Sequence, residues 1–289
     1  MTYLVGYAPD RSGGDALALG RMLAASGDVD LTVCMVVPET WGYPSPANVE
    51  AEYKAFLDAY SAKALKKARA ALGPDVPATF IARAARTAAL GLSQVANDIS
   101  AEFIVLGSAR DGRTMRCSLG SVAAGVLALT DRPVVLAPRT FKQNAAQRLR
   151  RITCAYTDDG EGHRTLATAV DLSLRHGVPL RLVTFVVRDK QMYPTSAGYD
   201  VENIVSNAWR VQAVEAQQRA LEDLPDGIEA FATIGDGPDW KRAIAATGWI
   251  EGEVLVAGSH HMGTVSGFVF GTAFTRLLRY ATVPLVAVP

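Results

Sequence analysis

The chain has 289 residues, 49% of them hydrophobic and 20% charged, a composition that supports a buried core and excludes a disordered protein. Lys plus Arg balance Asp plus Glu at 29 each, so no global charge draws the molecule to nucleic acid or to an acidic membrane. The three cysteines, Cys34, Cys117 and Cys154, are odd in number and lack metal-type spacing, which argues against a disulfide framework and for a reducing compartment. The start, MTYLVGYAPD, has no basic segment leading into an apolar one, and no run approaches the roughly 18 apolar residues of a membrane span. A soluble cytoplasmic protein is expected, of a length that suits two domains.

Taken in order, 3–7 predicts a strand ending in a Pro-Asp-Arg-Ser-Gly-Gly turn. Ala16, Leu17, Leu19, Gly20 and Leu23 follow at helical spacing, and 31–37 is a continuous apolar run of the kind found in buried parallel strands. After Pro44-Ser45-Pro46 comes a long helix pattern whose expected apolar face carries Val49, Tyr53, Phe56, Tyr60 and Ala64. A strand at 77–82, a helix at 88–99 and a strand at 103–106 continue the alternation. Residues 141–150 read as a solvated linker between a domain at 1–140 and another at 151–289. Beyond it the order repeats: a strand at 152–156, a helix through Leu166, Val170 and Leu174, and a strand at 180–187. A loop at 193–198 leads to a long helix carrying Ile204, Ala208 and Val211, and then a strand at 227–234 and a helix at 240–247. Strands alternating with helices predict parallel sheets covered on both faces.

The most informative stretch is FIVLGSARDGRTMRCSLGSVAAGVLALTDRPVVLAP, 103–138. It reads as a strand, a loop bearing Arg110, Arg113 and Arg116, a helix opened by Gly120-Ser121, and a second strand after Pro133. A helix start offers unpaired N–H groups and a positive dipole end to an anion such as phosphate. The stretch recurs at 253–289, with Gly258-Ser259 standing for Gly107-Ser108, Gly271-Thr272 for Gly120-Ser121, and Pro284 for Pro133. Tyr156 and Leu166 likewise answer Tyr7 and Leu17. The chain is an internal duplication.

At these loops the sequence resembles a tandem universal stress protein, over nearly its whole length. That family's signature has the form G-x-x-G-x(9)-G-[S/T]. The outer glycines stand in both halves, while the middle position holds Arg110 in the first and His261 in the second. The family's strand-end Asp is replaced by Ala8 and Thr157, with Asp10 and Asp159 two residues on as substitutes. The resemblance implies two flavodoxin-like (adenine nucleotide alpha hydrolase-like) α/β domains, each a five-stranded parallel sheet with helices on both faces. It also implies an internal pseudo-dimer through the strands at 134–137 and 285–288, with further homodimerisation left open. By the same resemblance ATP is the expected cofactor, and the three arginines of the first loop, against none in MGTVSGFVFG, favour the first domain over the second. The ATP cradle would be Pro9, Asp10, Val36, Val37, Gly107, Ser108, Arg110, Arg113, Gly120, Ser121 and Val122, with Gly258, Ser259, Gly271 and Thr272 in the second half.

Other signals weigh less. Ser12-Gly13-Gly14-Asp15 partly matches the SGGxDS loop of ATP pyrophosphatases but lacks a spacer and the final Ser. His260-His261 is not a metal site that spacing supports, and Asp158-Asp159 reads as a solvated turn. The expected function is a cytoplasmic stress-response module that binds adenine nucleotide and is not an enzyme, with neither nucleic-acid nor membrane partners. The alternatives are an interaction module for an unknown protein partner, with decayed nucleotide sites, and a pyrophosphatase-type enzyme.

Overall fold

The computed structural model describes residues 1–39, 49–109, 113–187, 199–259, 261–264 and 267–289, with side chains except at 49–50, 199–206, 261–264 and 267–270. Contacts divide the chain into two units, Met1–Gln147 and Arg148–Pro289.

The first unit runs β1 (Thr2–Gly6), α1 (Arg11–Ala24), β2 (Asp30–Pro38), α2 (Val49–Leu72), β3 (Ala78–Ala85), α3 (Ala88–Asp98), β4 (Phe103–Gly107), α4 (Ser121–Leu129) and β5 (Val134–Ala137). Its strands lie in the order β3-β2-β1-β4-β5, every pair parallel. Helices α1 and α2 pack together, as do α3 and α4, so the sheet is covered on both faces and its strands are apolar nearly throughout. The order reverses between β1 and β4. That reversal places the free carboxyl ends of these two strands side by side.

The second unit repeats the plan with β6 (Arg151–Ala155), α5 (Gly160–His176), β7 (Leu180–Val187), α6 (Tyr199–Glu222), β8 (Ala230–Gly237), α7 (Trp240–Ala245) and β9 (Glu253–Gly258). An antiparallel ribbon follows, β10 (His261–Thr264) with β11 (Gly267–Phe270), and then α8 (Thr272–Tyr280) and β12 (Leu285–Val288). The order β8-β7-β6-β9-β12, again all parallel, matches the first unit. The flavodoxin-like α/β architecture expected from the sequence holds in both. The ribbon departs from the sequence pattern, which predicts a loop between β9 and the next helix.

The helix faces differ from expectation. On α2 the buried side is Leu57, Ser61, Ala64, Ala68 and Leu72, whereas Phe56 is 63% exposed and Tyr53 and Tyr60 lie open beside it. Phe56 and Tyr60 stack on each other at 6.2 Å. Ala64 packs on Met35 and Val37, because small residues let a helix approach a sheet closely. On α6 the buried residues are Ala216, Gln217 and Ala220 while Val211 is exposed; on α5 they include Thr165, Ala169 and Leu172 while Leu174 is exposed. Alanines and hydroxyls carry little hydrophobic weight in a periodicity reading, and large side chains on the outer face dominate it. The side chain of Ile204 and the loop at 193–198 lie outside the described residues.

The segment after β5 also departs from a solvated linker. It opens in a single 3-10 turn, Phe141–Gln143, with Phe141 buried. The Asp15 carboxylate, itself buried, accepts N–H bonds from Thr140 (2.9 Å) and Lys142 (2.8 Å). A buried ring and a buried carboxylate fix the turn at Phe141–Gln143 onto the first unit.

At the amino ends of β6, β7 and β9 a buried charge network has no sequence signal. Arg181 donates to Thr153 Oγ1 (3.1 Å) and Glu253 Oε1 (2.7 Å) and to the carbonyl of Thr247. Arg151 donates to Glu253 Oε2 (2.6 Å) and to the Gly248 carbonyl (3.1 Å). Burial pushes the Arg181 guanidinium down from its ordinary value and the neighbouring Glu253 pulls it back up. The matching register in the first unit is the uncharged pair Leu4 and Thr32. Such a network adds little net stability over an apolar one, but removing one member strands the others. Glu253→Ala should therefore cost about 3–5 kcal/mol of unfolding free energy, the range for breaking a buried pair, measured by urea denaturation. A loss below about 1 kcal/mol would mean that water reaches the two arginines.

Candidate functional site

At the reversal between β1 and β4 a cleft of about 460 Å³ opens over the strand ends. Its apolar side is Cys34, Val36, Ala88, Leu92 and Leu106; its polar side is Gly107, Ser108, Ala109 and the first turn of α4. Gly6, Tyr7, Ala8, Asp10, Ser12 and Gly13 complete the lining. Burial pushes the Cys34 thiol up to about 12, so it is a neutral wall atom and not a nucleophile at neutral pH.

The head of α1 is seated by a close backbone approach. Asp10 caps the helix, its Oδ1 accepting from Gly13 N at 2.9 Å. A Cβ on Gly13 would fall 2.7 Å from Ala8 N and 2.9 Å from Ala8 C, distances no side chain tolerates against backbone. A Cβ on Gly107 would likewise strike the Ser12 carbonyl group, 2.7 Å from its carbon. Only glycine lets the start of α1 rest on the ends of β1 and β4.

Ser108 acts as a clip. Its hydroxyl donates to the Ala137 carbonyl (2.7 Å) and accepts from Ser118 N (3.1 Å), tying the loop to β5. Ser12 Oγ donates to the Ser108 carbonyl at 2.9 Å. The start of α4 is different. Gly120 is its cap residue and provides no side-chain hydrogen bond, whereas Asp10, Thr87, Asp159 and Asp239 each cap a helix through an oxygen. The first-turn N–H groups of α4 therefore open toward the cleft without an internal acceptor from the cap.

Of the expected residues, Asp10, Val36, Gly107, Ser108, Gly120, Ser121 and Val122 line this cleft. Pro9, Val37 and Arg113 do not. Val37 lies on the opposite face of β2, against Ala64 and Tyr7, since successive strand residues alternate faces. Arg113 is exposed on the loop, and burial and then the Arg113 charge push the Arg116 guanidinium down. Arg110 lies outside the described residues. Asp10 and Asp159 each cap a helix through Oδ1, and Asp10 also lines the cleft. Asp15, part of the pyrophosphatase-like stretch, is likewise committed to the turn after β5.

In the second unit the same scaffold recurs. Asp159 caps α5 through Gly162 N at 2.7 Å, and a Cβ on Gly162 would fall 2.7 Å from Thr157 C. Ser259 repeats the clip, its hydroxyl donating to the Val288 carbonyl at 3.0 Å. Gly271 caps α8 without a side-chain bond, and Thr272 begins the helix. Gly258 differs: a Cβ there would meet the Glu161 side chain, 2.7 Å from Cγ and 2.8 Å from Cδ.

Two copies of one scaffold, in register with one signature, fit the model of the universal stress protein family, which matches residues 1–138 and 148–289. The chain belongs to the universal stress protein family. A universal stress protein of Mycobacterium tuberculosis is 32% identical over 292 residues, covering all of this chain and all of that protein, and one of Mycobacterium bovis matches equally. Among solved structures, a universal stress protein from Archaeoglobus fulgidus superposes with a TM-score of 0.62 at 18% identity, covering 99% of this chain and 97% of that one. A functionally unknown protein from Pseudomonas aeruginosa gives 0.58 at 14% identity, over 99% and 92%.

Two further candidate residues of this tandem universal stress protein, Asp158 and Cys117, have partners of their own. Asp158 pairs with Arg219 (2.9 Å) and with His163 (3.3 Å). The hydrogen bond from Arg219 holds its carboxyl below the ordinary value, so the expected solvated turn is an ion-paired one. Cys117 is buried and its thiol reaches the Leu136 carbonyl at 3.4 Å. The side chains of His260 and His261 lie outside the described residues. Sequence reasoning missed Cys34, Ala88 and Leu92 as site walls; counting parity along 31–37 from Val36 marks Cys34, but nothing local marks α3.

The two adjacent glycines of α1 provide the check on this geometry. Gly13→Ala should destabilise the chain by about 1–3 kcal/mol, as overpacking does. Gly14→Ala, whose nearest neighbour would be Lys142 Cδ at 3.6 Å, should be neutral or stabilising by up to about 1 kcal/mol from helix propensity. Denaturant midpoints of the two variants decide it; equal effects would refute the close-approach account.

Proposed function

We propose that the first unit binds an adenine nucleotide, ATP foremost, and that the chain acts as a nucleotide-responsive binding module of the stress response and not as an enzyme. One observation carries the reading: the start of α4, capped only by Gly120, opens into a cleft whose other side is apolar. The helix start suits phosphate through free N–H groups and the dipole, and the apolar side of Val36, Leu92 and Leu106 suits a flat base. A cleft of about 460 Å³ falls within the usual 300–1,000 Å³ of small-molecule sites. The ionisable side chains of the described lining are Tyr7, Asp10 and Cys34. Asp10 is committed to its cap, burial holds Cys34 protonated, and burial followed by Asp10 pushes the Tyr7 phenol up. The lining thus favours holding a ligand over breaking its bonds. Three buried free thiols fit a reducing cytoplasm.

The other reading, an interaction module with decayed nucleotide sites, is supported by the middle position of the signature, where Arg110 and His261 replace glycine.

Gly120→Asp is the test. The backbone of Gly120 is extended at φ −87°, and a Cβ would stand 3.4 Å from Ala109 Cβ, so a side chain fits there. An Asp at a cap position stabilises its helix by about 1 kcal/mol while placing negative charge where phosphate would bind. The expected result is an unchanged or raised melting temperature with ATP affinity reduced at least about tenfold, roughly the 1.4 kcal/mol equivalent. Unchanged affinity, measured by calorimetry, would refute the site.

A further inference from the structure

We propose that the groove between α5 and α6 of the second unit binds a small alkyl cation, an aliphatic guanidinium or ammonium compound. The inference stands apart from the nucleotide reading of the first unit.

A cavity of about 350 Å³ lies between the two helices, and all of its lining residues belong to the described side chains. Thr165, Ala169 and Leu172 take the core face of α5. Leu166 and Val170, about one turn apart, therefore stand along the groove. Ala220, Leu224 and Pro225 form the opposite wall. The apolar line that periodicity predicts for α5 thus runs along a groove and not against the sheet.

The charged groups of the lining are Asp158, His163, Arg219 and Asp223. Asp158 accepts from Arg219 at 2.9 Å and lies 3.3 Å from His163 Nε2, so its charge is already matched. Asp223 is exposed and enters none of the ion pairs among the described residues. It directly follows the last residue of α6, where the negative end of the helix dipole also favours a cation.

The first unit shows what fits such a place. Leu17 answers Leu166, so Arg21, one turn further on, answers Val170; Gly73 follows α2 as Asp223 follows α6. Arg21 reaches from α1 to the end of α2, where a Cβ built on Gly73 would stand 3.8 Å from its Nη1 and 4.0 Å from its Cζ. An aliphatic stem ending in a guanidinium spans the two helices there. In the second unit valine stops short, and an aspartate stands at the position the guanidinium reaches. A ligand with an alkyl stem and a cationic head supplies both the apolar contact and the missing charge. An anion would meet Asp223 and find Arg219 engaged by Asp158.

The probe is agmatine, an alkylguanidinium, titrated calorimetrically into the full-length wild type and into Val170→Arg and Asp223→Asn variants. Butyrate is the anionic control, and thermal melts verify folding. The wild type should bind one equivalent of agmatine saturably, more weakly as salt is raised. Asp223→Asn, a surface change that leaves packing intact, should weaken binding by about fivefold, the scale of an exposed ion pair. Val170→Arg should abolish it, because its own side chain would lie in the groove as Arg21 does. Unchanged affinity in either variant would overturn the proposal, as would a wild type that ignores millimolar agmatine or prefers butyrate.

Discussion

Everything at the strand-end sites depends on how closely the first turn of a helix can rest on the backbone of the strand before it. Gly13 on Ala8 and Gly162 on Thr157 bring α1 and α5 into direct backbone contact with β1 and β6, and Asp10 and Asp159 lock the turns by accepting from those same glycines. With the helix head fixed, the adjoining strand can end in a glycine that faces it, Gly107 or Gly258. The loop beyond is then held by a buried serine on the last strand, Ser108 or Ser259. The site is thus a consequence of backbone packing. Its side chains mostly serve that packing.

The same scaffold carries different side chains two residues after the cap: Ser12 Oγ donates to the Ser108 carbonyl, and the Glu161 side chain lies against Gly258. The second unit has meanwhile acquired polar structure elsewhere: the Arg181–Glu253–Arg151 network at the amino ends of its strands, and the Tyr156, Asp158 and Arg219 cluster, where burial and then Asp158 push the Tyr156 phenol up to about 12. In the first unit Thr32 stands where Arg181 does and Pro9 where Asp158 does. Divergence after duplication has spared the clip and the cap, which the backbone requires, and altered what stands around them.

The duplication, the strand and helix alternation, the parallel class of each sheet and the glycines of the signature are all legible in the sequence, because each is a local or periodic signal. Gly107, Ser108, Gly120 and Ser121 meet along one side of the cleft, since a strand end and a helix start joined by one loop stay close in space. Which face each element turns inward is set by packing between elements and has no local signal. Tyr53, Phe56 and Tyr60 dominate the pattern of α2, yet Ala64 and Ala68 are buried in their stead, because closeness to the sheet selects small residues that a hydrophobicity count undervalues. Val37 was lost to the site, and Cys34, Ala88 and Leu92 gained, for the same reason of facing. Whether an acidic residue is a ligand, a cap or an obstruction was equally invisible: Asp10 caps α1, Asp15 anchors Phe141–Gln143 and Glu161 covers Gly258. Those roles are set by partners distant in the chain, which only folding brings within reach.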